Sequence, residues 1–255
     1  MVDTHCHLSR CEGPPGEIIG RASEAGVTRL LTVGLDEASN REQIALCERF
    51  DQVHAAVGRH PNAADGYDAD AAADLRELAT HEKVRAIGET GLDFYRDTAE
   101  PENQRRAFSS QIEIAVETGL PIVIHLRDRQ GSDDAAAGTF SMLDAAGGDL
   151  TVILHCFSAP QRVSQAVERG WYCSFAGNVT YPANQDLREA AAVMPDELIL
   201  VETDSPYLTP QSRRRHRNEP ANVVETASLV AEVRGTAPET FDRIVAENSR
   251  RLFDW

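Results

Sequence analysis

Histidine and carboxylate side chains recur at the ends of short apolar segments along this 255-residue chain. The set consists of His5, His7, Glu89, His125, His155 and Asp204. Imidazole nitrogens and carboxylate oxygens are common protein ligands of divalent metals. Four imidazoles and two carboxylates are too many for one tetrahedral ion, but they suit two ions about 4 Å apart that share a carboxylate. We therefore predict a two-metal hydrolytic centre, with Glu89 as the candidate bridge.

Single members of this set carry little information by themselves. A lone histidine such as His125 is more often a hydrogen-bonded core residue, and Asp204 before Ser205-Pro206 suits a simple turn. The joint pattern indicates a metal centre, because all of these residues fall at the ends of independently predicted strands. The alternation of a strand also directs His5 and His7 to the same side.

Eight short apolar or β-branched segments alternate with amphipathic stretches, an order typical of a parallel α/β fold. The predicted strands are Val2–Thr4, Thr28–Val33, Val53–Val57, Val84–Ile87, Pro121–Ile124, Thr151–Leu154, Trp171–Phe175 and Leu198–Val201. The predicted helices are Gly16–Ala25, Ala38–Phe50, Asp70–Thr80, Pro101–Thr118, Asp133–Ala146, Pro160–Glu168, Asn184–Val193, Ala221–Arg234 and a last one at Pro238–Ser249. We expect a (β/α)₈ TIM barrel, a single domain over residues 1–255 with an extra C-terminal helix. Strand ends converge at the C-terminal face of such a barrel.

Acidic residues outnumber basic ones, with 41 Asp and Glu against 25 Lys and Arg and a net charge of -16. This balance indicates a halophilic protein, because like charges keep a surface hydrated and mutually repulsive when salt screens them. It excludes nucleic-acid binding through a broad basic face, since binding by counterion release fades with salt. Any phosphate contact has to be local and short-range, as metal coordination is.

Nothing in the sequence predicts export or a membrane span. No segment approaches the roughly 18 apolar residues of a transmembrane helix, and the N-terminus lacks the features of a signal peptide. The five cysteines are odd in number and show no CxxC pairing, so we predict free thiols in a reducing compartment. We expect a cytoplasmic protein with no membrane contact and no obligate protein partner.

The motifs together resemble the TatD-type metal-dependent deoxyribonucleases, a family of amidohydrolase-like TIM-barrel hydrolases. The resemblance covers essentially the whole chain, and its most specific motifs are Gly88–Tyr95, His155–Ser158, Glu202–Leu208 and Arg217–Pro220. It implies a hydrolase that uses two divalent ions, with 3′-5′ exonuclease activity on DNA. This chain departs from the family pattern at Ala159, where glycine is usual, and at Arg59, which either adds a phosphate contact or faces solvent.

The resemblance divides the ligands between two ions. One ion would be held by His5, His7, Glu89 and Asp204. The second ion would be held by Glu89, His125 and His155. Magnesium, manganese and zinc all remain open, because the imidazoles favour a transition metal while the family is often described with magnesium.

The resemblance also implies roles for residues around the metals. Asp204 would orient or deprotonate the attacking water, and Glu202 would fix a ligating imidazole, so these two and Glu89 form the predicted catalytic set. His60 would contact a substrate phosphate. Arg127 and Arg217 would clamp phosphate through their planar guanidinium groups.

The substrate side of the site is less determined by the sequence. Arg213–Arg217 is the densest basic stretch of the chain and contacts either a nucleic-acid backbone or only solvent. The candidates to stack an end base are Phe94, Tyr95, Phe157 and Tyr207. Such stacking would suit single-stranded or frayed DNA ends, and RNA is a further candidate substrate.

Three functional hypotheses follow from these motifs. The first is a phosphodiesterase that acts on nucleic-acid 3′ ends, which glutamate at position 89 and the arginines near Asp204 favour. The second is amidohydrolase-type hydrolysis of a lactone, cyclic amide or aminoacyl ester, including D-aminoacyl-tRNA, which a carbamylated lysine at position 89 would favour. The third is a non-catalytic metal-stabilised scaffold, which would require a degraded ligand set, whereas this set is complete.

Overall fold

The computed structural model describes residues 1–96, 98–147 and 150–255. Within these ranges, eight parallel strands form a sheet whose order follows the sequence from first to last, with helices between the strands. This alternation defines the (β/α)₈ TIM barrel, so the predicted fold class is confirmed.

The strands lie where the apolar segments predict them. They are β1 Val2–Cys6, β2 Arg29–Val33, β3 Val53–Val57, β4 Val84–Asp93, β5 Ile122–Arg127, β6 Val152–Leu154, β7 Tyr172–Phe175 and β8 Ile199–Val201. The predicted C-terminal ends of β1, β4 and β5 are wrong, since His5, Glu89 and His125 lie inside these strands rather than after them. The apolar pattern stops at the polar residues, but the ladder between β4 and β5 continues through Gly91↔His125.

The helices also follow the predicted order. They are α1 Pro15–Glu24, α2 Glu37–Cys47, α3 Ala69–Leu78, α4 Pro101–Thr118, α5 Asp134–Ala146, α6 Val163–Glu168, α7 Gln185–Val193, α8 Val223–Val233 and α9 Pro238–Phe253. Pro101 fits the first turn of α4 because its fixed φ is helical, and Gly119, with φ at +69°, ends that helix in the left-handed region. The extra C-terminal helix is α9, which packs against α8, β8 and β1.

The chain divides into two compact units. The first unit comprises Met1–Thr32, Phe50–His54 and Cys156–Trp255. The second comprises Val33–Arg49 and Ala55–His155. The single-domain organisation over residues 1–255 stays a prediction.

The cysteines are all free thiols, and Cys156 is the one that is not fully buried. Among the described residues, no helix has the length and apolar character that a membrane span requires.

Candidate metal centre

The second unit gathers three imidazoles around one buried carboxylate oxygen. Glu89 Oε1 lies 2.6 Å from His125 Nδ1, 2.8 Å from His155 Nε2 and 3.5 Å from His60 Nε2. We call these four residues the Glu89 cluster. Burial opposes the ionisation of Glu89, but the neighbouring imidazoles, His155 and His60 foremost, outweigh it and hold the pKa of the carboxyl well below its usual range. Glu89 is therefore anionic at neutral pH, as a ligand of a cation has to be.

Glycines allow the strands to approach closely enough to form this cluster. A Cβ on Gly58 would lie 2.5 Å from the carbonyl carbon of Gly88, and one on Gly91 would lie 2.0 Å from the carbonyl oxygen of His125. Side chains at these positions would push β3, β4 and β5 apart. His155 is placed directly after β6 by its own N–H group, which donates to the carbonyl of Ile124 at 3.1 Å.

The hydrogen bonds of His125 test whether the cluster fits a cation. Its Nε2 lies 3.2 Å from Asp93 Oδ2. Burial raises the pKa of Asp93, but the bond to His125 and several others outweigh this and lower it to about 2. Asp93 is then ionised and only accepts, so His125 carries a proton on Nε2. Burial lowers the pKa of His125, but its bonds to Asp93 and Glu89 outweigh this and raise it. In the metal-free protein a proton therefore lies between His125 Nδ1 and Glu89 Oε1, which are 2.6 Å apart, and a cation can take the place of that proton. The donor set fits a metal ion.

His60 presents a proton rather than a lone pair to this cluster. Its Nδ1 accepts a hydrogen bond from the backbone N–H of Asn62 at 3.0 Å. The proton of a neutral His60 therefore lies on Nε2, which faces Glu89 Oε1. Although His60 lies close enough to be grouped with Glu89 and His125 as a potential ligand, this tautomer suits the predicted phosphate contact better than metal coordination.

The first unit contains a second group of potential ligands. His5 Nε2 lies 3.4 Å from His7 Nε2. Asp204 Oδ1 lies 3.4 Å from His7 Nε2 and 3.9 Å from His5 Nε2. We call these three residues the Asp204 cluster. The predicted orientation of both imidazoles to one side is confirmed, and both are buried.

Backbone contacts between the C-terminal end of β1 and the segment after β8 assemble the Asp204 cluster. The N–H of Asp204 donates to the carbonyl of His5 at 2.9 Å, and the N–H of His7 donates to the carbonyl of Ser205 at 2.8 Å. Asp204 has a φ of +51°, a left-handed conformation that aspartate tolerates better than most residues. The two segments are thereby held in register, which brings residues about 200 positions apart into contact.

Asp3 and Asn218 brace this arrangement, and the sequence analysis assigned no role to either. The carboxyl oxygens of Asp3 accept hydrogen bonds from Thr203 N at 2.9 Å, Thr203 Oγ1 at 2.6 Å and His5 N at 3.3 Å. Burial raises the pKa of Asp3 to about 8, although these hydrogen bonds oppose the shift. Asn218 Nδ2 donates to the carbonyls of Thr203 and Tyr207, on either side of Asp204. In the sequence, the spacing of two residues between Asp3, His5 and His7 could have indicated that Asp3 faces the same side as the two histidines.

Glu202 is fully buried, and its Oε1 accepts a hydrogen bond from the backbone N–H of Cys156 at 2.8 Å. Cys156 directly follows His155 in the sequence and has a φ of +41°. Glu202 therefore holds the segment that carries a predicted ligand. Its predicted contact with an imidazole stays a prediction.

The predicted phosphate-binding arginines differ in their surroundings. The guanidinium of Arg127 lies over the ring of Tyr95 at 4.0 Å. Arg217 is 72% exposed and pairs with Glu12 at 3.3 Å. Arg59 pairs with Glu37 instead of facing solvent.

Within the basic stretch, Arg213 pairs with Glu225 at 3.2 Å and Arg214 lies over the ring of Tyr181 at 4.4 Å. Both side chains thus have protein partners. The prediction of Phe157 as a stacking residue is wrong, because it is buried against Phe175.

Asp93 connects the cluster to the loop that follows β4, a role that the sequence analysis missed. Its Oδ2 accepts from His125 Nε2 at 3.2 Å and from Asn62 Nδ2 at 3.1 Å. Its Oδ1 accepts from the backbone N–H groups of Tyr95 and Arg96, both at 3.0 Å. Asp93 therefore sets the tautomer and ring orientation of His125, as carboxylates near metal-binding histidines commonly do. In the sequence, the even spacing between Glu89 and Asp93 along β4 could have indicated that both side chains face the same side.

Replacing Asp93 with asparagine is expected to weaken metal binding by about 10- to 100-fold, because the amide no longer fixes the Nε2 proton of His125. Titration of the metal-free protein with Zn²⁺ and Mn²⁺ measures the change. Asp65→Asn is the matched control, since Asp65 also accepts hydrogen bonds from Asn103 and a backbone N–H but is exposed. Equal affinities of the Asp93→Asn variant and the wild type would show that Asp93 does not position His125.

The barrel and the Glu89 cluster define the class of a metal-dependent hydrolase on a TIM-barrel scaffold. Residues 2–254 match the family model described as TatD related DNase. The chain belongs to the TatD family of metal-dependent hydrolases, which confirms the resemblance of its motifs, and it is a hydrolase that acts on ester bonds.

Individual relatives extend over almost the whole chain. A Mycobacterium tuberculosis protein named "Uncharacterized metal-dependent hydrolase TatD" is 40% identical over 263 residues, which cover 99% of this chain and 97% of the relative. An Erwinia billingiae protein named "3′-5′ ssDNA/RNA exonuclease TatD" is 33% identical over 250 residues, which cover 93% and 92% of the two chains. The crystal structure of YjjV, a TatD homologue from Escherichia coli, matches with a TM-score of 0.87 and 25% identity, covering 100% and 98%.

Proposed function

We propose that the protein is a two-metal 3′-5′ exonuclease that releases nucleotides from DNA ends, preferably single-stranded or frayed, and from RNA. The convergence of His125 and His155 on Glu89 Oε1 carries the proposal, because two imidazole nitrogens and a carboxylate oxygen fit a divalent cation. Relatives named as 3′-5′ ssDNA/RNA exonucleases support nucleic acid as the substrate. The free thiols support a reducing compartment, so we place the reaction in the cytoplasm.

The proposed ligands of the two ions are His5, His7, Glu89, His125, His155 and Asp204. Glu89 is the proposed shared ligand, since its buried carboxylate already contacts more than one imidazole. When bound, the cations activate a water molecule and neutralise the oxyanions of an in-line phosphoryl displacement. The imidazole-rich set favours zinc or manganese over magnesium.

The protein's own groups have separate roles in this proposal. Asp204 Oδ1 takes a proton from the attacking water, a role that suits a carboxylate that is largely but not fully buried. His60 Nε2–H donates to a phosphate oxygen. Arg127 and Arg217 contact neighbouring phosphate groups through guanidinium N–H donors. Glu202 holds the segment after β6 in place through the N–H of Cys156.

Removal of divalent metal is expected to abolish hydrolysis and to lower the melting temperature. A ligand present at 1,000 times its Kd stabilises the folded state by about 4 kcal/mol, and chelation removes this contribution. The test incubates the purified protein with 3′- and 5′-labelled single- and double-stranded DNA and with single-stranded RNA. A Mg²⁺, Mn²⁺ and Zn²⁺ panel and an EDTA control are included, each at low and at high salt.

The expected result is metal-dependent release of mononucleotides from the 3′ end, fastest on single strands. Release that starts at the 5′ end, or full activity in EDTA, would contradict the proposal. Hydrolysis of a lactone or an aminoacyl ester without any release of nucleotides would instead place the protein in the amidohydrolase-type alternative.

A further inference from the structure

We propose that Tyr95 and Arg127 form a stacking subsite for the base of the terminal nucleotide, beside the Glu89 cluster. This inference rests on the proposed exonuclease function and names the part of the substrate that the subsite recognises. The partner is a planar nucleobase at a strand end, because the terminal base has a stacked neighbour on one side only and leaves its other face open to a protein ring.

The Tyr95 ring and the Arg127 guanidinium lie in contact before any ligand binds, and we call the two the Tyr95 platform. The guanidinium carbon of Arg127 lies 4.0 Å from the centroid of the Tyr95 ring, within cation–π distance. Tyr95 is nevertheless 54% exposed, the largest exposed aromatic fraction among the described large hydrophobic residues. One face of the ring thus contacts the guanidinium, while much of the remaining ring surface is open to a ligand.

Hydrogen bonds place this platform beside the predicted metal ligands. Arg127 lies opposite Asp93 in the register of the β4–β5 ladder. Strand alternation puts the Arg127 side chain on the same side of the sheet as that of His125. The N–H of Phe94 donates to the carbonyl of Arg127 at 2.9 Å. The carboxylate of Asp93 binds both His125 and the N–H of Tyr95. Asp93 therefore hydrogen-bonds both to the backbone of Tyr95 and to the His125 imidazole of the Glu89 cluster.

The chemistry of the pair matches the two halves of a nucleotide. A guanidinium that stacks on a ring keeps its N–H edge for a phosphate oxygen, and a tyrosine ring stacks on any base. Stacking also depends little on salt screening, so it can supply affinity in a chain whose net charge is -16. Tyr207 is the other candidate to stack on the terminal base, since its side chain is 46% exposed. Arg10 reaches only its hydroxyl edge, at 3.5 Å, rather than its ring face.

The test compares two single-stranded oligonucleotides that differ only at the 3′-terminal nucleotide, which carries a base or is abasic. The metal-loaded wild type is expected to prefer the base-bearing end by about tenfold in kcat/KM, mainly through KM. Tyr95→Ala is expected to lose this preference, and Tyr95→Phe and Tyr95→Trp to keep it. Arg127→Lys should lower it, because lysine retains the charge but cannot stack as a plane. Val116→Ala is the matched control, since Val116 on α4 is also 54% exposed.

Binding of an oligonucleotide with a phosphorothioate 3′ end gives a second measurement that does not depend on turnover. Equal turnover of both ends by the wild type, or an unchanged preference in Tyr95→Ala, would show that the subsite does not exist while leaving the exonuclease intact. Loss of the preference in Tyr207→Ala alone would overturn the assignment to Tyr95. Failure of the wild type to shorten either oligonucleotide would refute the exonuclease proposal, and the subsite with it.

Discussion

Glu89→Gln is expected to lose metal-dependent hydrolysis almost completely. The carboxylate is buried, anionic and within 3.5 Å of three imidazole nitrogens, so its charge compensates a cation directly. The amide keeps the shape of the side chain but removes that charge and one acceptor. We expect kcat/KM to fall on the order of 10³-fold or more, beyond the 10- to 100-fold cost of groups that only orient ligands.

Three measurements on the Glu89→Gln variant test this result. They are the metal content by elemental analysis, Zn²⁺ affinity by titration, and the initial rate of nucleotide release. Glu48→Gln is the control, because Glu48 also faces an imidazole, that of His81 at 3.4 Å, but at an exposed site. A Glu89→Gln variant that binds metal and turns over like the wild type would show that the cluster is structural.

Asp204→Asn is expected to lower kcat by about 10²- to 10⁴-fold, the usual contribution of a general base. Metal binding should fall much less, because the amide oxygen remains available as a ligand. The variant should also fold, since asparagine tolerates the φ of +51° at this position as well as aspartate does. The two substitutions therefore separate a shared metal ligand from a proton acceptor.

The measurement for Asp204→Asn is the pH dependence of kcat together with the affinity for metal. A large fall in kcat at every pH, with a nearly unchanged metal affinity, is the expected outcome, because the proton acceptor is gone while an amide oxygen remains as a ligand. Asp254→Asn is the control, since Asp254 has a similar φ of +48° but lies after α9 at the end of the chain. An unchanged kcat in Asp204→Asn would assign the proton transfer to another group.

The acidic composition limits the ways in which the protein can bind a nucleic acid. A net charge of -16 cannot attract a polyanion over long distances. Recognition then depends on coordination, on a few guanidinium groups and on stacking, all of which act at contact distance. Within the second unit, the Glu89 cluster and the Tyr95 platform offer two of these contact-distance interactions.

Much of the fold could be predicted because its signals are local. Apolar segments of three to six residues alternate with amphipathic helices, and eight repeats of this pattern leave few alternatives to a parallel barrel. The ligand types were visible for the same reason, since histidine or carboxylate side chains follow the first, fourth, fifth, sixth and eighth apolar segments. The alternation that aligns His5 with His7 needs only the geometry of one strand.

The tertiary structure decided which partners these side chains have. Asp93 bonds to His125 across 32 positions and Asp3 bonds to Thr203 across 200, and no local pattern encodes either contact. The Asp93 contact keeps a proton on Nε2 of His125, and a hydrogen bond from the N–H of Asn62 to Nδ1 of His60 leaves the proton of a neutral His60 on Nε2. Residue type and position likewise made both Phe157 and Tyr95 candidates for stacking a base, and only the folded structure shows that Phe157 is buried and Tyr95 is exposed. Residue type and periodicity are properties of neighbouring positions, whereas protonation, burial and stacking depend on groups that meet only when the chain has folded.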